Sequence, residues 1–252
     1  MSSIAVITGA SSGIGRSFVE ALLSSSDCPE KVWIVARRAD RLEQMCELSD
    51  KVVPVVADLS KPDGVASVIE KVRSENASVR YLINSAGMGK RGKIADRPSK
   101  DISDVITLNC TALSVLTRDL IPFMSEGSRI INIASTAAFM PQPDFAVYSA
   151  SKSYVIFFGR ALARELKKTG ITVTTVCPGP VNTEFNSLAT DGATSEFKGF
   201  RKLFVADAAK LSKASLKAAR RGRNLYVHGL SQKAFHFASK IIPTGLFLKI
   251  LY

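Results

Sequence analysis

Short runs of apolar and β-branched residues alternate, along the first two thirds of the chain, with longer segments whose apolar positions recur at helical spacing. The runs predict six strands, at Ile4–Thr8, Val32–Ala36, Val52–Val56, Tyr81–Asn84, Arg129–Ala134 and Ile171–Cys177. Strands that are apolar throughout are typical of a parallel sheet covered by helices on both faces. The crossovers that join such strands are almost always right-handed.

The last third of the chain completes this pattern. A helix is predicted over Asp207–Arg221, and a seventh strand follows at Asn224–Val227. No linker or internal repeat divides the 252 residues, and α/β folds of about 250 residues often form one unit. The sequence therefore predicts a single doubly wound α/β domain of the Rossmann type, residues 1–252, with a mostly parallel seven-stranded sheet flanked by helices. The segment from about 179 to 205 lacks strong periodicity, and we expect it to form a substrate lid.

The amino-acid composition disfavours several other classes of protein. With 46% hydrophobic and 22% charged residues the chain is near the globular average, which disfavours disorder, a collagen-like fibre or a coiled coil. Its four cysteines form no CxxC pair and only two histidines are present, so neither a disulfide framework nor a metal site is indicated. We see no signal peptide and no apolar run of about 18 residues, and we expect a cytoplasmic protein.

Positive charge is concentrated near the C-terminus. Residues 191–252 hold 12 Lys and Arg against three Asp and Glu, and no acidic residue follows Asp207. Pro243 and Gly245 split the end into two short segments, and apolar residues at helical spacing predict one stripe, consisting of Ile242, Leu246, Phe247, Ile250 and Leu251. The sequence thus predicts a basic amphipathic extension over about 230–252.

Several partners of this extension remain open. A basic amphipathic helix can lie on an anionic membrane surface, and it could equally receive an acidic acyl carrier or a neighbouring subunit of a homodimer or homotetramer. It could also cover the chain's own cleft or sheet edge, with its lysines solvated. Nucleic acid is not expected as a partner, because charge is the only feature in its favour and a recognition helix is missing.

A glycine-rich turn follows the first predicted strand and precedes an apolar helix. The turn reads Thr8-Gly9-Ala10-Ser11-Ser12-Gly13-Ile14-Gly15. Glycines in this context permit a tight turn, bring backbone close to a pyrophosphate and let the helix pack on the strand. The spacing is GxxxGxG rather than GxGxxG, and an ordinary strand-to-helix turn is the alternative. Candidate cofactor-binding residues here are Gly9, Ser11, Ser12, Gly13, Ile14 and Gly15.

The end of the second predicted strand bears on the choice of cofactor. In NAD-binding folds an acidic residue about 20 positions after the glycines holds the ribose 2′-hydroxyl. Here that position is Ala36, and Arg37 and Arg38 follow it. Because guanidinium groups pair with a 2′-phosphate through charge-assisted hydrogen bonds, NADP(H) is expected rather than NAD. Two surface arginines at the start of a helix are the alternative.

A tyrosine and a lysine four residues apart supply candidate chemistry. Tyr148 and Lys152 lie in a segment that predicts a helix over Tyr148–Leu166, so they share one helix face. A free phenol has a pKa of about 10 and is a poor acid near neutrality. We expect the nearby ammonium to lower that pKa. Packing and solvation are the usual roles of such a pair, so the motif alone is weak.

Together these motifs resemble the short-chain dehydrogenase/reductase family over roughly Ser3 to Val227, and the arginine pair resembles its NADP-preferring branch. The motifs that carry the resemblance are the TGASSGIG turn, Asp58-Leu59, Asn84-Ser85-Ala86-Gly87, Asn109, Ser135, Tyr148-xxx-Lys152 and Pro178-Gly179. Their order along the chain is far more specific than any single one. Ser85 is one departure, since the family often has a second asparagine there.

The resemblance implies roles for these residues. Tyr148 would transfer the substrate proton, Lys152 would tune Tyr148 and bind the nicotinamide ribose, and Ser135 would orient the carbonyl. Asn109 would anchor a water in the proton relay. Asp58, with Leu59, would lie at the adenine, and residues from Asn84 through Ala86 to Gly87 would line the cofactor cleft. The residues expected beside the nicotinamide carboxamide are Pro178, Gly179, Val181 and Thr183.

The predicted function is therefore NADP(H)-dependent interconversion of a carbonyl and an alcohol by hydride transfer. The cofactor carries the hydride chemistry, and the protein supplies position and electrostatics. Apolar residues of the lid favour a lipophilic or acyl-chain ketone, and they are Phe185, Leu188, Phe197, Phe200, Leu203 and Phe204. The alternative is a catalytically idle NADP-binding regulator, because a fold does not fix a function.

Overall fold

The predicted sheet is present in the computed structural model, which describes residues 2–191 and 205–251. Its strands are β1 (Ser3–Thr8), β2 (Lys31–Ala36), β3 (Val52–Val56), β4 (Ser78–Asn84), β5 (Arg129–Ile133), β6 (Thr172–Cys177) and β7 (Leu225–Val227). They lie in the order β3-β2-β1-β4-β5-β6-β7, and all neighbouring strands run parallel. The predicted doubly wound α/β fold with seven strands is confirmed.

Both faces of the sheet are buried. In β1, Ile4 and Val6 pack into one hydrophobic cluster, whereas Ala5 and Ile7 pack into another on the opposite face. All four side chains are fully buried. Successive strand residues point to opposite faces of the sheet. A strand that is covered by helices on both faces therefore needs apolar side chains at every position.

Helices cover the two faces of the sheet. Within the described residues they are α1 (Gly13–Leu23), α2 (Ala39–Cys46), α3 (Pro62–Ser74), α4 (Ser99–Ile106), α5 (Leu113–Leu120), α6 (Ala146–Glu165), α7 (Glu184–Ala189), α8 (Ala208–Arg220), α9 (Leu230–Ile241) and α10 (Thr244–Leu251). The predicted helix around Tyr148 is α6, and the one after Asp207 is α8. A π-helical segment, Thr107–Ala112, joins α4 to α5, and such segments often occur at functional sites.

The strand order creates a crevice at one edge of the sheet. The chain runs outward from β1 through β2 to β3 and then returns to β4 on the other side of β1. Crossovers therefore diverge between β1 and β4, and ligands of such sheets bind there, at the carboxyl ends of the strands. The turns after β1, β2, β4, β5 and β6, which hold most of the predicted site residues, all meet at this edge.

The predicted lid is described only in part. Val181 pairs with Ala206 in an isolated parallel bridge, and α7 lies between these two residues in the chain. Part of the substrate prediction depends on residues outside the described ones, namely Phe197, Phe200, Leu203 and Phe204.

The C-terminal extension forms two helices, as Pro243 and Gly245 predicted, but the prediction of one continuous apolar stripe is wrong. Ile242 lies between α9 and α10 in an extended conformation, because a proline disfavours helical geometry in the residue before it. Leu246 is 53% exposed, whereas its neighbour Phe247 is buried. The other two stripe positions, Ile250 and Leu251, have side chains outside the described set.

An aromatic contact ties this extension to the domain. The rings of Phe235 and Phe247 meet edge-on at 5.7 Å between centroids, and Phe235 also faces Phe139 at 6.3 Å. The opposite surface of the two helices keeps large apolar side chains exposed, namely Leu230, Phe237, Ile241 and Leu246. None of the helices in residues 2–191 and 205–251 has the length and apolar character that crossing a membrane requires.

Candidate active site

The turn after β1 is too tight to accommodate side chains at its glycines. Gly9 and Gly13 have φ values of +65° and +55°, which glycine adopts at little cost. A Cβ on Gly15 would lie 2.2 Å from the carbonyl oxygen of Gly9, and one on Gly9 would lie 2.8 Å from the Cα of Ala86. The first residues of α1 follow this turn, and no side chain caps its N-terminus, so its N–H groups can receive an anion.

One large cavity of about 600 Å³ lies at the carboxyl edge of the sheet, beside the turn. Most of the residues predicted to bind cofactor or substrate line it: Gly9, Ser11, Ser12, Gly13, Ile14, Gly15, Arg37, Arg38, Asp58, Leu59, Ala86, Gly87, Ser135, Tyr148, Lys152, Pro178, Gly179, Val181 and Thr183. Residues from six separate turns of the chain therefore share one cleft.

Asn84 is the first predicted residue that does not line the cavity. It ends β4 and is only 3% exposed. Its Nδ2 donates to Oγ1 of Thr117 at 2.9 Å and to Oδ1 of Asn132 at 2.8 Å. The prediction that Asn84 lines the cofactor cleft is wrong, because its amide points into the interior and satisfies buried partners there.

Two arginines and a glutamate from α7 meet at the end of β2. Nη2 of Arg38 donates to the hydroxyls of Ser11 and Ser12 at 3.1 and 3.2 Å. Its Nη1 binds Glu184 at 2.9 Å, and Arg41 binds the other carboxylate oxygen of Glu184 at 2.5 Å. These bonds, from Arg41 and then Arg38, lower the pKa of Glu184 and keep it ionised. Glu184 therefore binds Arg38, one of the two arginines that the sequence assigned to a 2′-phosphate.

Asp58 follows β3 on the same side of the cavity. Its Oδ1 accepts hydrogen bonds from the N–H of Ser60 at 3.0 Å and from the hydroxyl of Ser60 at 2.7 Å. Burial acts to raise the pKa of Asp58, but the bonds from Ser60 and the charge of Arg37 outweigh burial and lower that pKa. An ionised acceptor is therefore held beside the arginines at the end of β2.

Tyr148, Lys152 and Ser135 meet where β5 and β6 end. Helix α6 places Tyr148 and Lys152 one turn apart, and Nζ of Lys152 lies 5.8 Å from the centroid of the Tyr148 ring. That Nζ donates to the carbonyl of Ile133 at 2.9 Å. The hydroxyl of Ser135 accepts from the N–H of Ala137 at 3.1 Å and acts to lower the pKa of the nearby Tyr148 phenol.

Burial governs the ionisation of this tyrosine and lysine. Desolvation raises the pKa of Tyr148 to about 12, against smaller opposing effects of the Ser135 hydrogen bond and the Arg91 charge. Desolvation also lowers the pKa of Lys152 to about 8. The cost of burying a phenolate is therefore larger than the stabilisation that nearby groups give, and the lowering of the phenol pKa by Lys152 stays a prediction.

Asn109 lies behind these residues and, like Asn84, does not line the cavity wall. It belongs to the π-helical segment and is 1% exposed. Its Oδ1 accepts from the N–H of Met88 at 2.9 Å, while its Nδ2 donates to the carbonyl of Met88 at 2.8 Å and to Ser151 Oγ at 2.9 Å. A Cβ on Gly87 would lie 3.1 Å from both Asn109 Oδ1 and Lys152 Nζ. Asn109 thus fixes the turn after β4, and its role toward a water stays a prediction.

Aromatic rings pack against Tyr148 inside the cavity. Phe145 stacks on it with 4.3 Å between centroids, and Phe185 of α7 lies 5.3 Å away in a tilted arrangement. The guanidinium carbon of Arg91 lies 4.4 Å from the centroid of Phe145. Leu188, 62% exposed, also lines this part of the cavity.

Sequence reasoning missed Glu184, Arg91 and Phe145 as cavity residues, and Arg41 as a partner of Glu184. Phe145 precedes Tyr148 by three positions, and that spacing could have indicated a neighbour on the same helical turn. The other contacts join segments far apart in the chain, and nothing in the local pattern marks them.

Comparison with known proteins places these features in a family. The family model described as short chain dehydrogenase matches residues 3–193. A short chain dehydrogenase of Pseudocercospora fijiensis is 32% identical over 192 residues, which are 73% of this chain and 61% of that protein. Sulfoacetaldehyde reductase 2 of Chromohalobacter salexigens is 34% identical over 203 residues, which are 76% of this chain and 78% of that protein.

A solved structure extends the similarity over nearly the whole chain. The short-chain dehydrogenase from Sphingobium yanoikuyae, in complex with NADPH, has a TM-score of 0.77 and 29% identity, covering 97% of this chain and 95% of that one. A doubly wound sheet with a glycine turn at its switch point is the architecture of a dinucleotide-binding domain. The chain belongs to the short-chain dehydrogenase family.

Proposed function

We propose that the protein is an NADP(H)-dependent oxidoreductase that interconverts a carbonyl and an alcohol by hydride transfer. One observation carries the proposal: the glycine turn, the β2 arginines and the group formed by Ser135, Tyr148 and Lys152 all line a single cavity. Each motif alone has an ordinary structural explanation, but a functional cleft accounts for their convergence from distant segments.

The shape and charge of the cavity fit NADP(H). The glycine turn leaves backbone exposed at the N-terminus of α1, where a pyrophosphate would bind. Arg37 and Arg38 would bind the 2′-phosphate, and Asp58 with Leu59 would lie at the adenine. The residues proposed at the nicotinamide end are Ala86, Gly87, Pro178, Gly179, Val181 and Thr183. The NADPH bound in the Sphingobium yanoikuyae relative supports this choice.

NADPH, when bound, supplies the hydride that reduces a carbonyl carbon. Tyr148 would then donate the phenolic proton to the carbonyl oxygen, and a pKa of about 12 keeps that proton on the phenol until it is needed. Ser135 would hold the same oxygen through its hydroxyl. Lys152, with Asn109 behind it, would stabilise the phenolate that forms and bind the ribose.

The walls beside Tyr148 favour a carbonyl compound with an apolar portion. Met88, Phe145, Phe185 and Leu188 line that end of the cavity. We therefore propose a lipophilic or acyl-chain ketone or aldehyde. The alternative is a catalytically idle NADP-binding regulator. Such a protein would not need Ser135 and Tyr148 to lie close together in the cavity.

Consumption of NADPH tests the proposal directly. We expect the purified protein to oxidise NADPH, followed at 340 nm, in the presence of one or more members of a panel of apolar ketones, aldehydes and 3-oxoacyl thioesters. A matched panel of the corresponding alcohols with NADP⁺ covers the reverse reaction. Tight binding of NADPH without turnover on either panel would instead support the regulator.

We also propose that α9 and α10 form a docking surface for an anionic membrane. The exposed apolar side chains Leu230, Phe237, Ile241 and Leu246 share these helices with Lys233, Lys240 and Lys249, and no acidic residue is present there. Apolar burial combined with attraction to acidic lipids is the usual basis of such peripheral binding.

Flotation with vesicles tests this surface. We expect salt-sensitive binding to vesicles containing phosphatidylserine, and Lys240→Glu with Lys249→Glu should weaken it by at least roughly 30-fold, because each lysine near an anionic surface contributes about 1 kcal/mol. Lys167→Glu with Lys168→Glu, in the short turn that follows α6, is the matched control. Light scattering of the same variants identifies the other outcome: loss of an oligomer without any flotation would make the surface a subunit interface and overturn the membrane proposal.

A further inference from the structure

Arg91 lines the cavity near Tyr148, and within the described residues no carboxylate forms a salt bridge with its guanidinium. Its neighbours Lys90 and Arg97 both bind Asp191. The guanidinium carbon of Arg91 lies 4.4 Å from the centroid of the Phe145 ring, and the side chain lines the cavity. Among the described residues, this guanidinium therefore faces the cavity without a carboxylate counter-ion.

The backbone around Arg91 is anchored from two sides. The N–H of Arg91 donates to the carbonyl of Ala189, at the end of α7, at 2.9 Å. The N–H of Gly92 donates to the carbonyl of Asp144 at 2.8 Å. Both bonds tie this segment to elements that carry the rings around Tyr148. The guanidinium thus has a defined place one ring away from the phenol, since Phe145 contacts both Arg91 and Tyr148.

A guanidinium over an aromatic ring keeps its N–H donors free at the edge of the group. Those donors match the two oxygens of a carboxylate or a sulfonate in a bidentate arrangement. Arg91 itself is exposed, so solvent partly screens such a pair. The apolar walls alone do not explain why a positive charge lines this end of the cavity.

We propose that Arg91 is a specificity-determining residue that binds an anionic group, a carboxylate or sulfonate, on the carbonyl substrate. The inference deepens the proposed function and rests on it. The preferred substrate is then an amphiphile: its carbonyl reaches Tyr148 and Ser135, its apolar part contacts Phe145 and Phe185, and its anionic group reaches Arg91. Because only the Phe145 ring separates the phenol from the guanidinium, we expect a short spacer between the carbonyl and the anionic group of the substrate.

Kinetics with matched substrates test the assignment. The probes are ω-oxo carboxylic acids of increasing chain length and their methyl esters, which differ only in charge at the Arg91 end. With wild-type protein we expect kcat/KM to favour the acid at the best chain length. Arg91→Gln should raise KM for the acid by up to roughly fivefold, the effect of losing an exposed ion pair, and should leave KM for the ester nearly unchanged.

Two controls separate this effect from general damage. Arg118→Gln removes a guanidinium that is 83% exposed on α5. It should leave KM unchanged for both the acid and the ester. Arg91→Lys keeps the positive charge but loses the paired N–H donors of the guanidinium, so it should recover part of the preference for the acid. Because the Arg91 charge also favours the phenolate of Tyr148, kcat can fall for both substrates, and the acid-to-ester ratio of KM is the decisive measurement.

Failure of this inference is distinguishable from failure of the proposed function. If wild-type protein reduces esters as well as acids and Arg91→Gln leaves their ratio unchanged, the anion site is overturned while the oxidoreductase stands. If no carbonyl is reduced, calorimetry with the unreactive dicarboxylate glutarate, added to protein and NADPH, still reports on Arg91. Binding that Arg91→Gln abolishes would support the anion site, and no binding to wild-type protein would overturn it.

Discussion

Replacement of Tyr148 with phenylalanine is expected to reduce turnover by about 10²- to 10⁴-fold, the range typical of losing a general acid. The ring is held by Phe145 at 4.3 Å and Phe185 at 5.3 Å, and these contacts do not involve the hydroxyl. The variant should therefore fold and bind NADPH like the wild type. Steady-state reduction of the best carbonyl substrate, combined with fluorescence titration of NADPH, measures both quantities.

Tyr154→Phe is the matched control, since Tyr154 lies on the same helix and its hydroxyl hydrogen-bonds with Ser114, away from the cavity lining. It should leave turnover unchanged. Lys152→Ala should impair both turnover and NADPH binding, because this lysine is proposed to serve the phenol and the ribose. Normal turnover in Tyr148→Phe would overturn the assignment of the proton donor.

The second large effect concerns cofactor choice. Removal of one charge-assisted partner of the 2′-phosphate should weaken NADPH binding by about 1.5–3 kcal/mol, roughly 10- to 150-fold. Arg37→Gln combined with Ala36→Asp should go further and shift preference to NADH, because the new carboxylate repels the phosphate and accepts the ribose hydroxyl. Titration of each variant with NADPH and NADH gives the ratio, and Arg73→Gln, an exposed arginine of α3, is the control.

Glu184→Gln should act in the opposite direction. Arg38 must give up Glu184 before it can bind a phosphate, so loss of this carboxylate should tighten NADPH binding and leave NADH unaffected. The gain should not exceed roughly fivefold, because these ion pairs are substantially exposed. Equal affinity of the wild-type protein for NADH and NADPH would contradict the roles given to Arg37 and Arg38.

The fold could be predicted from sequence because its signal is local and repeated. Runs such as Val32–Ala36 are apolar at every position, which only a sheet buried on both faces requires, and each run is bounded by turn residues. The C-terminal stripe failed for a physical reason: helical spacing was counted through Pro243, which ends one helix and sets the direction of the next.

The site was predictable where function is carried by short motifs and not where it depends on contacts across the chain. The glycine turn and the Tyr148–Lys152 pair are each visible within a few residues. Asn84 lies only two residues before Ala86, which lines the cavity. The sequence does not indicate that the Asn84 amide points into the interior instead. The raised pKa of Tyr148 could not be predicted, because spacing along a helix indicates which groups are near but not how much water is excluded.

The six-residue helix α7 links the two ends of the cleft. Glu184, its first residue, is bound by arginines at the nucleotide end, and the next residue, Phe185, contacts the ring of Tyr148. Adjacent residues of one helix cannot move independently. A phosphate that draws Arg38 away from Glu184 is therefore expected to shift Phe185 as well, so that binding at the nucleotide end should change the packing around Tyr148.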